Sequence, residues 1–144
     1  KDFYNLIQLA SWTVKDILEH INNEEYLKQF YTRQELTTIV LAIKAIFLSE
    51  KPKYFRTCQG INCYSFASDG IELPCHCFSE RYSTTNKIQF NLKDFASDCI
   101  YCPVAYLCGG GCLAQTKENK KITCKLRYVY YSTIIDTLKQ IKNL

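Results

Sequence analysis

The nine cysteines of this chain are confined to one stretch, Cys58 to Cys124, and the first 57 residues contain none. A disulfide scaffold, a zinc site and an iron–sulfur site would each use thiols at that density, with very different functions. An odd count leaves one thiol over in a secreted protein. Disulfide staples also serve mainly domains too small to bury a core, whereas this chain of 144 residues is 47% hydrophobic and 14% aromatic. The cysteines therefore point to metal or cluster ligation in a reducing compartment, and a cytoplasmic location is expected.

The same break organises the chain. Residues 1–57 read as helices: Phe3, Leu6, Ile7, Ala10, Val14, Leu18 and Ile21 keep a helical spacing. Asn23 is placed to cap a short helix in "NNEEYLKQF", and Thr32 with Glu35 makes a capping box ahead of the apolar run to Leu48. Pro52 ends that run. In residues 58–124, strand-like runs flank Asp69-Gly70, a hairpin signal, and Lys87 to Leu92 alternates. Residues 125–144 close the chain as an amphipathic helix, with Leu126, Val129, Tyr130, Ile134, Leu138 and Ile141 along one side. The expected fold class is α+β: an N-terminal helical segment, a small cysteine-rich β-hairpin and loop domain, and a C-terminal helix.

The spacing within "CIYCPVAYLCGGGC" carries the chemistry. Cys99-x2-Cys102-x5-Cys108-x3-Cys112 is followed after eleven residues by Cys124. A C-x2-C turn lets two thiolates face one centre, and a cubane cluster needs four thiolates on a wider envelope than one zinc ion. Gly109, Gly110 and Gly111 can adopt positive φ, so that backbone N–H groups approach the sulfurs. A zinc-binding interaction module with two cysteine-rich sites remains an alternative from these residues alone. The x5 and x3 spacings and the triple glycine are unusual for it.

Taken with Cys58, Gly70 and Cys75, these residues resemble the SPASM domain, the C-terminal auxiliary-cluster domain of radical SAM enzymes. That pattern is C-x(9–15)-G-x4-C, a gap, C-x2-C-x5-C-x3-C, a gap, and a final C. The match runs from residue 58 to residue 124. The resemblance implies two 4Fe–4S clusters with interleaved ligands: one on Cys99, Cys102, Cys108 and Cys124, the other on Cys58, Cys75, Cys112 and a fourth ligand. For that fourth place we take Cys63, with Cys77 and an open iron site as alternatives. Residues 1–57 are then the end of a radical SAM barrel and its linker. The C-x3-C-x2-C motif that binds the SAM-cleaving cluster does not occur in this sequence, so S-adenosylmethionine and a third cluster belong to a longer parent. The chain contains no methionine, which fits a fragment. The implied function is electron transfer or substrate positioning in a peptide- or protein-modifying enzyme, a ribosomal-peptide or sulfatase-type maturase, with a peptide or protein as substrate.

Other features carry less. His76 reads as a surface or neighbouring side chain and His20 receives no role. Phe95, Tyr101 and Tyr106 are expected to keep water from a cluster, and Trp12 and "YVYY" to lie in the helical core. The formal net charge is +4, and "KENKK" (117–121) lacks interleaved aromatics, so it reads as a solvated loop and no nucleic-acid partner is expected. Two cubanes at about −2 each would bring that charge near zero. No apolar run reaches the length that spans a bilayer, so no membrane partner is expected, and the sequence gives no basis for an oligomeric state.

Overall fold

A computed structural model of the chain describes residues 2–50, 65, 66, 70, 72, 73, 99, 101–109 and 117–144. Helix α1 spans Asp2–Glu19, α2 Glu24–Phe30, α3 Arg33–Phe47, α4 Ala105–Cys108 and α5 Lys117–Lys142. Two-residue strands β1 (Ser65–Phe66) and β2 (Glu72–Leu73) pair antiparallel. The core is helix on helix: α1 and α3 both pack against α5, and α4 is wedged against α3 and α5. Ala10, Val14 and Ile17 from α1, Ile39 and Ala42 from α3, Leu107 from α4, and Ile134 and Leu138 from α5 form one buried cluster.

The expected α+β class is corrected on that ground. The apolar faces of the N-terminal helices and of the C-terminal helix cover each other, so the core between them is all helical. Strand pairing among the described residues amounts to Ser65 with Leu73 and Phe66 with Glu72, around Gly70 at φ 83°. Two rungs do not make a sheet layer.

Local signals explain where the helices start and stop. The Asn23 side chain accepts from the Tyr26 amide at 3.1 Å and opens α2. At α3, Thr32 Oγ1 accepts from the Glu35 amide at 3.2 Å while the Thr32 amide donates to Glu35 Oε2 at 2.7 Å, the reciprocal capping box. The far end of α3 stops at Phe47, ahead of Pro52. Ser49 turns left-handed (φ 52°) and the Glu50 amide returns to the Lys44 carbonyl at 3.2 Å. Lys142 Nζ donates to the Ile46 carbonyl at 2.7 Å, so α5 supplies a cation to the C-terminal end of α3. Thr13 and Thr38 are buried because each hydroxyl donates to the carbonyl one turn back, on Leu9 and Gln34.

The helical periodicity needs three corrections. Phe3 and Ile7 share the stripe of Ala10 and Val14 yet are 46% and 43% exposed, so burial on α1 starts at Ala10. Trp12 is 58% exposed, lying about 200° round the helix from Val14. Helix α5 begins at Lys117, so the "KENKK" stretch is helical; Asn119 and Lys121 within it are exposed. The boundary expected at 57/58 lies outside the described residues. Among the described residues no helix is long and apolar enough to cross a membrane.

Candidate functional site

Four of the eight expected ligands lie in the described residues: Cys99, Cys102, Cys108 and Cys124. Cys58, Cys63, Cys75 and Cys112 lie outside them, as do Cys77, His76 and Phe95. Cys99 is helical, and turns follow from Tyr101 to Val104. The Cys102 amide donates to the Cys99 carbonyl at 3.3 Å, closing the C-x2-C turn, and the Ala105 amide donates to the Cys102 carbonyl at 3.1 Å. A single helical turn, α4, follows, with Cys108 as its last residue. Gly109 caps it in the left-handed conformation (φ 63°, ψ 15°), its amide on the Ala105 carbonyl at 2.8 Å. The first of the three glycines therefore supplies the positive φ expected of it.

Packing decides where this segment sits. Leu107 is 1% exposed and enters the common core, and Tyr106 packs against that core. Burial raises the Tyr106 phenol above its ordinary pKa. Tyr101 is 89% exposed. Helix α4, which ends at Cys108, packs on α5. Burial first, and then the Cys108 sulfur, raise the Tyr131 phenol, while Arg127 opposes them. Cys124, Arg127 and Tyr131 are spaced i, i+3, i+7 on α5 and so share one side of it. The fourth thiol of the set thus lies on the helix against which α4 packs, and it is exposed.

Among the described residues no three His, Cys, Asp or Glu side chains converge closely enough to hold a metal ion. The donor set itself fits a thiolate-bound group in type and number. Three thiols come from one turn-rich segment, the fourth from a rigid helix, and the segment is fixed to that helix through α4.

A second polar centre was not legible as a site in the sequence. Asp16 is 8% exposed, and its carboxylate accepts from the Tyr26 hydroxyl at 3.1 and 3.2 Å and from the Tyr31 hydroxyl. His20 Nδ1 lies 2.9 Å from the Asp16 carbonyl and 3.4 Å from its carboxylate, and the imidazole stacks on Tyr26 with centroids 3.8 Å apart. The Tyr31 phenol is pushed far above its ordinary range by burial, then by the Asp16 hydrogen bond and charge; Tyr26 shifts the same way for the same causes. This hub ties α2 and the α2–α3 connection to α1. The sequence signal for it is a carboxylate and an imidazole one turn apart, Asp16 and His20, beside the buried stripe.

A cleft of about 280 Å³ opens between α1, α3 and α5. Ile39, Ile134 and Thr38 are its buried floor, Tyr130 and Tyr131 its sides, and the exposed Glu35 its rim. The ring of Tyr130 meets that of Tyr131 edge-on, with centroids 5.5 Å apart. The sequence marks Glu35 only as a capping residue.

No protein-family model, curated protein or solved structure matches this chain.

Proposed function

We propose that this chain is the auxiliary-cluster domain of a radical SAM enzyme that modifies a peptide or protein in the cytoplasm. The observation that carries the reading is the cysteine series at spacings of 2, 5, 3 and 11 with its upstream C-x11-G-x4-C block. Cys99, Cys102, Cys108 and Cys124 would hold one 4Fe–4S cluster, and Cys58, Cys63, Cys75 and Cys112 the other. Such clusters supply an electron acceptor or a point of attachment for substrate. The chain's own part is to position the thiols. The Cys99–Cys102 hydrogen bond closes the turn between two of them, Gly109 turns the chain left-handed directly after Cys108, and Leu107 fixes the segment to the helices.

Anaerobic purification followed by iron, sulfide and zinc analysis tests the reading. About eight iron and eight sulfide per chain are expected for two cubanes. Stoichiometric zinc without sulfide would replace it with a zinc-binding interaction module. Cys63→Ala is expected to perturb one cluster only and Cys77→Ala neither, and the reverse result would move the fourth ligand to Cys77.

A further inference from the structure

The cleft between α1, α3 and α5 joins three features that together select a ligand class. Its floor is made by Ile39 and Ile134, which are 2% and 1% exposed, with the buried Thr13 and Thr38, whose hydroxyls are bonded back to their own helices. Its sides are the phenol rings of Tyr130 and Tyr131. The acidic group on its lining is Glu35, whose Oε2 takes both the Thr32 amide and the Thr32 hydroxyl at 2.7 and 2.9 Å, leaving Oε1 for another partner. A floor whose hydroxyls are already bonded, aromatic sides and one carboxylate at the mouth complement a side chain with a long apolar stem and a cationic head.

The α3 N-terminus at this cleft would by itself favour an anion. Here the capping box already uses its Glu35 amide and places a carboxylate over it, so the net field favours a cation. The two sides differ as well. Glu35 acts on the Tyr130 hydroxyl, whereas Arg127 lies by Tyr131. The cationic head therefore belongs at the Tyr130–Glu35 end.

We infer that this cleft binds an arginine side chain presented by a peptide, with the guanidinium against Glu35 and Tyr130 and its methylenes over Ile39 and Ile134. The planar guanidinium stacks on a phenol ring and accepts a carboxylate in its plane, which a lysine ammonium does less well. The site deepens the proposed function and rests on it for its role: Tyr131 of its lining belongs to α5, the helix that carries Cys124 and against which α4, ending at Cys108, packs. A peptide anchored by arginine here is held on α3 and α5, the two helices against which the cysteine segment packs through α4, so the inferred substrate class is a peptide with an arginine near the modified residue.

The test is a titration of the full chain with Nα-acetylarginine methylamide, followed by backbone amide shifts at Glu35, Ile39, Tyr130 and Ile134. The norleucine counterpart, which keeps the stem and lacks the head, is run beside it. Saturable shifts confined to the cleft are expected with the arginine probe and none with norleucine. Glu35→Gln keeps the capping box, since glutamine also serves there, and is expected to weaken binding at least about ten-fold by removing the charge. Gln34→Lys, at an exposed position on the same rim, is expected to do the same without touching the floor. Equal affinity for norleucine, unchanged affinity in Glu35→Gln, or the absence of saturable shifts overturns the site. Iron and sulfide are assayed on the same sample. Arginine binding by a chain that takes up no iron leaves the cleft standing and removes the cluster reading, whereas a loaded chain without arginine binding does the opposite.

Discussion

The helical frame and the cysteine segment solve the same problem, satisfying polar backbone and side chains, by opposite means. In the frame the chain satisfies itself. Thr13 and Thr38 bond back one turn, Thr32 and Glu35 cap α3, and Asp16 gathers two tyrosine hydroxyls. Among the described residues no buried side-chain nitrogen or oxygen lacks a partner. From Tyr101 to Gly109, by contrast, regular structure is limited to the four residues of α4, far too few to be stable as an isolated helix. That segment takes its position from outside: from Leu107 in the shared core and, under the proposed function, from what its thiols bind. Such a difference is expected where one part of a chain carries the fold and another the chemistry.

Leu107 is the link, and its removal gives the largest expected effect. Leu107→Ala empties a position that is 1% exposed and should lower unfolding stability by about 2–5 kcal/mol, measured by chemical denaturation with helical circular dichroism. Reaction of Cys102 and Cys108 with a thiol reagent should speed up alongside. A loss below about 1 kcal/mol would mean that the segment rests on the frame without belonging to its core.

The two regions were also unequally legible in the sequence. Periodicity of 3.6 located the first three helices, and Asn23, Thr32 and Glu35 marked two helix starts correctly, because caps are local chemistry. Burial was harder, because it depends on which neighbour covers each turn: Phe3, Ile7 and Trp12 are apolar and exposed. The β-alternation around Asp69-Gly70 suggested a layer, whereas the described pairing is two rungs beside a helical core. In the cysteine segment spacing alone spoke, and it names ligand chemistry without naming the surfaces that hold it. Asp16 and the Glu35 cleft were not read as sites: the hub needs Tyr26 and Tyr31 folded back onto α1, and the cleft is assembled from three helices, α5 lying far from the other two in sequence.

The frame's polar hub gives the next effect in size. Asp16→Ala leaves the Tyr26 and Tyr31 hydroxyls without their acceptor and should lower stability by about 1–3 kcal/mol. Thiol reactivity at Cys102 and Cys108 should stay as it is. A change there would show that hub and cysteine segment unfold together, erasing the contrast between them.

Alkaline titration probes the same hub more gently. Tyr31 holds its proton above the ordinary phenol range in the folded state, through burial and then through Asp16. The unfolded chain releases that proton near pH 10. Below that pH the contribution is complete, and above it the unfolded state binds fewer protons than the folded one, so stability falls as pH rises. Tyr31 is only partly buried, so solvent screening keeps the slope below the full ~1.4 kcal/mol per pH unit of one retained proton. Denaturation at pH 9 to 11 should show this decline, and Tyr31→Phe should flatten it. An unchanged slope in the variant would assign the alkaline loss to other tyrosines of the frame.

The smallest expected effect on stability sharpens the comparison most. Cys124 is exposed on α5, and exposed substitutions change stability by about 0.5 kcal/mol or less. Cys124→Ala should therefore leave the denaturation of the helical frame as it was. Under the proposed function the same substitution removes one of four thiolates from the cluster shared with Cys99, Cys102 and Cys108, so iron and sulfide should fall towards half in anaerobic protein. The two readouts separate the two regions within one variant. If metal content falls while the frame's stability holds, the frame folds independently of what the thiols bind. If both fall together, metal binding contributes to folding of the helices as well, and α5 is the element through which that coupling passes, since it carries Cys124 and packs on both α1 and α3.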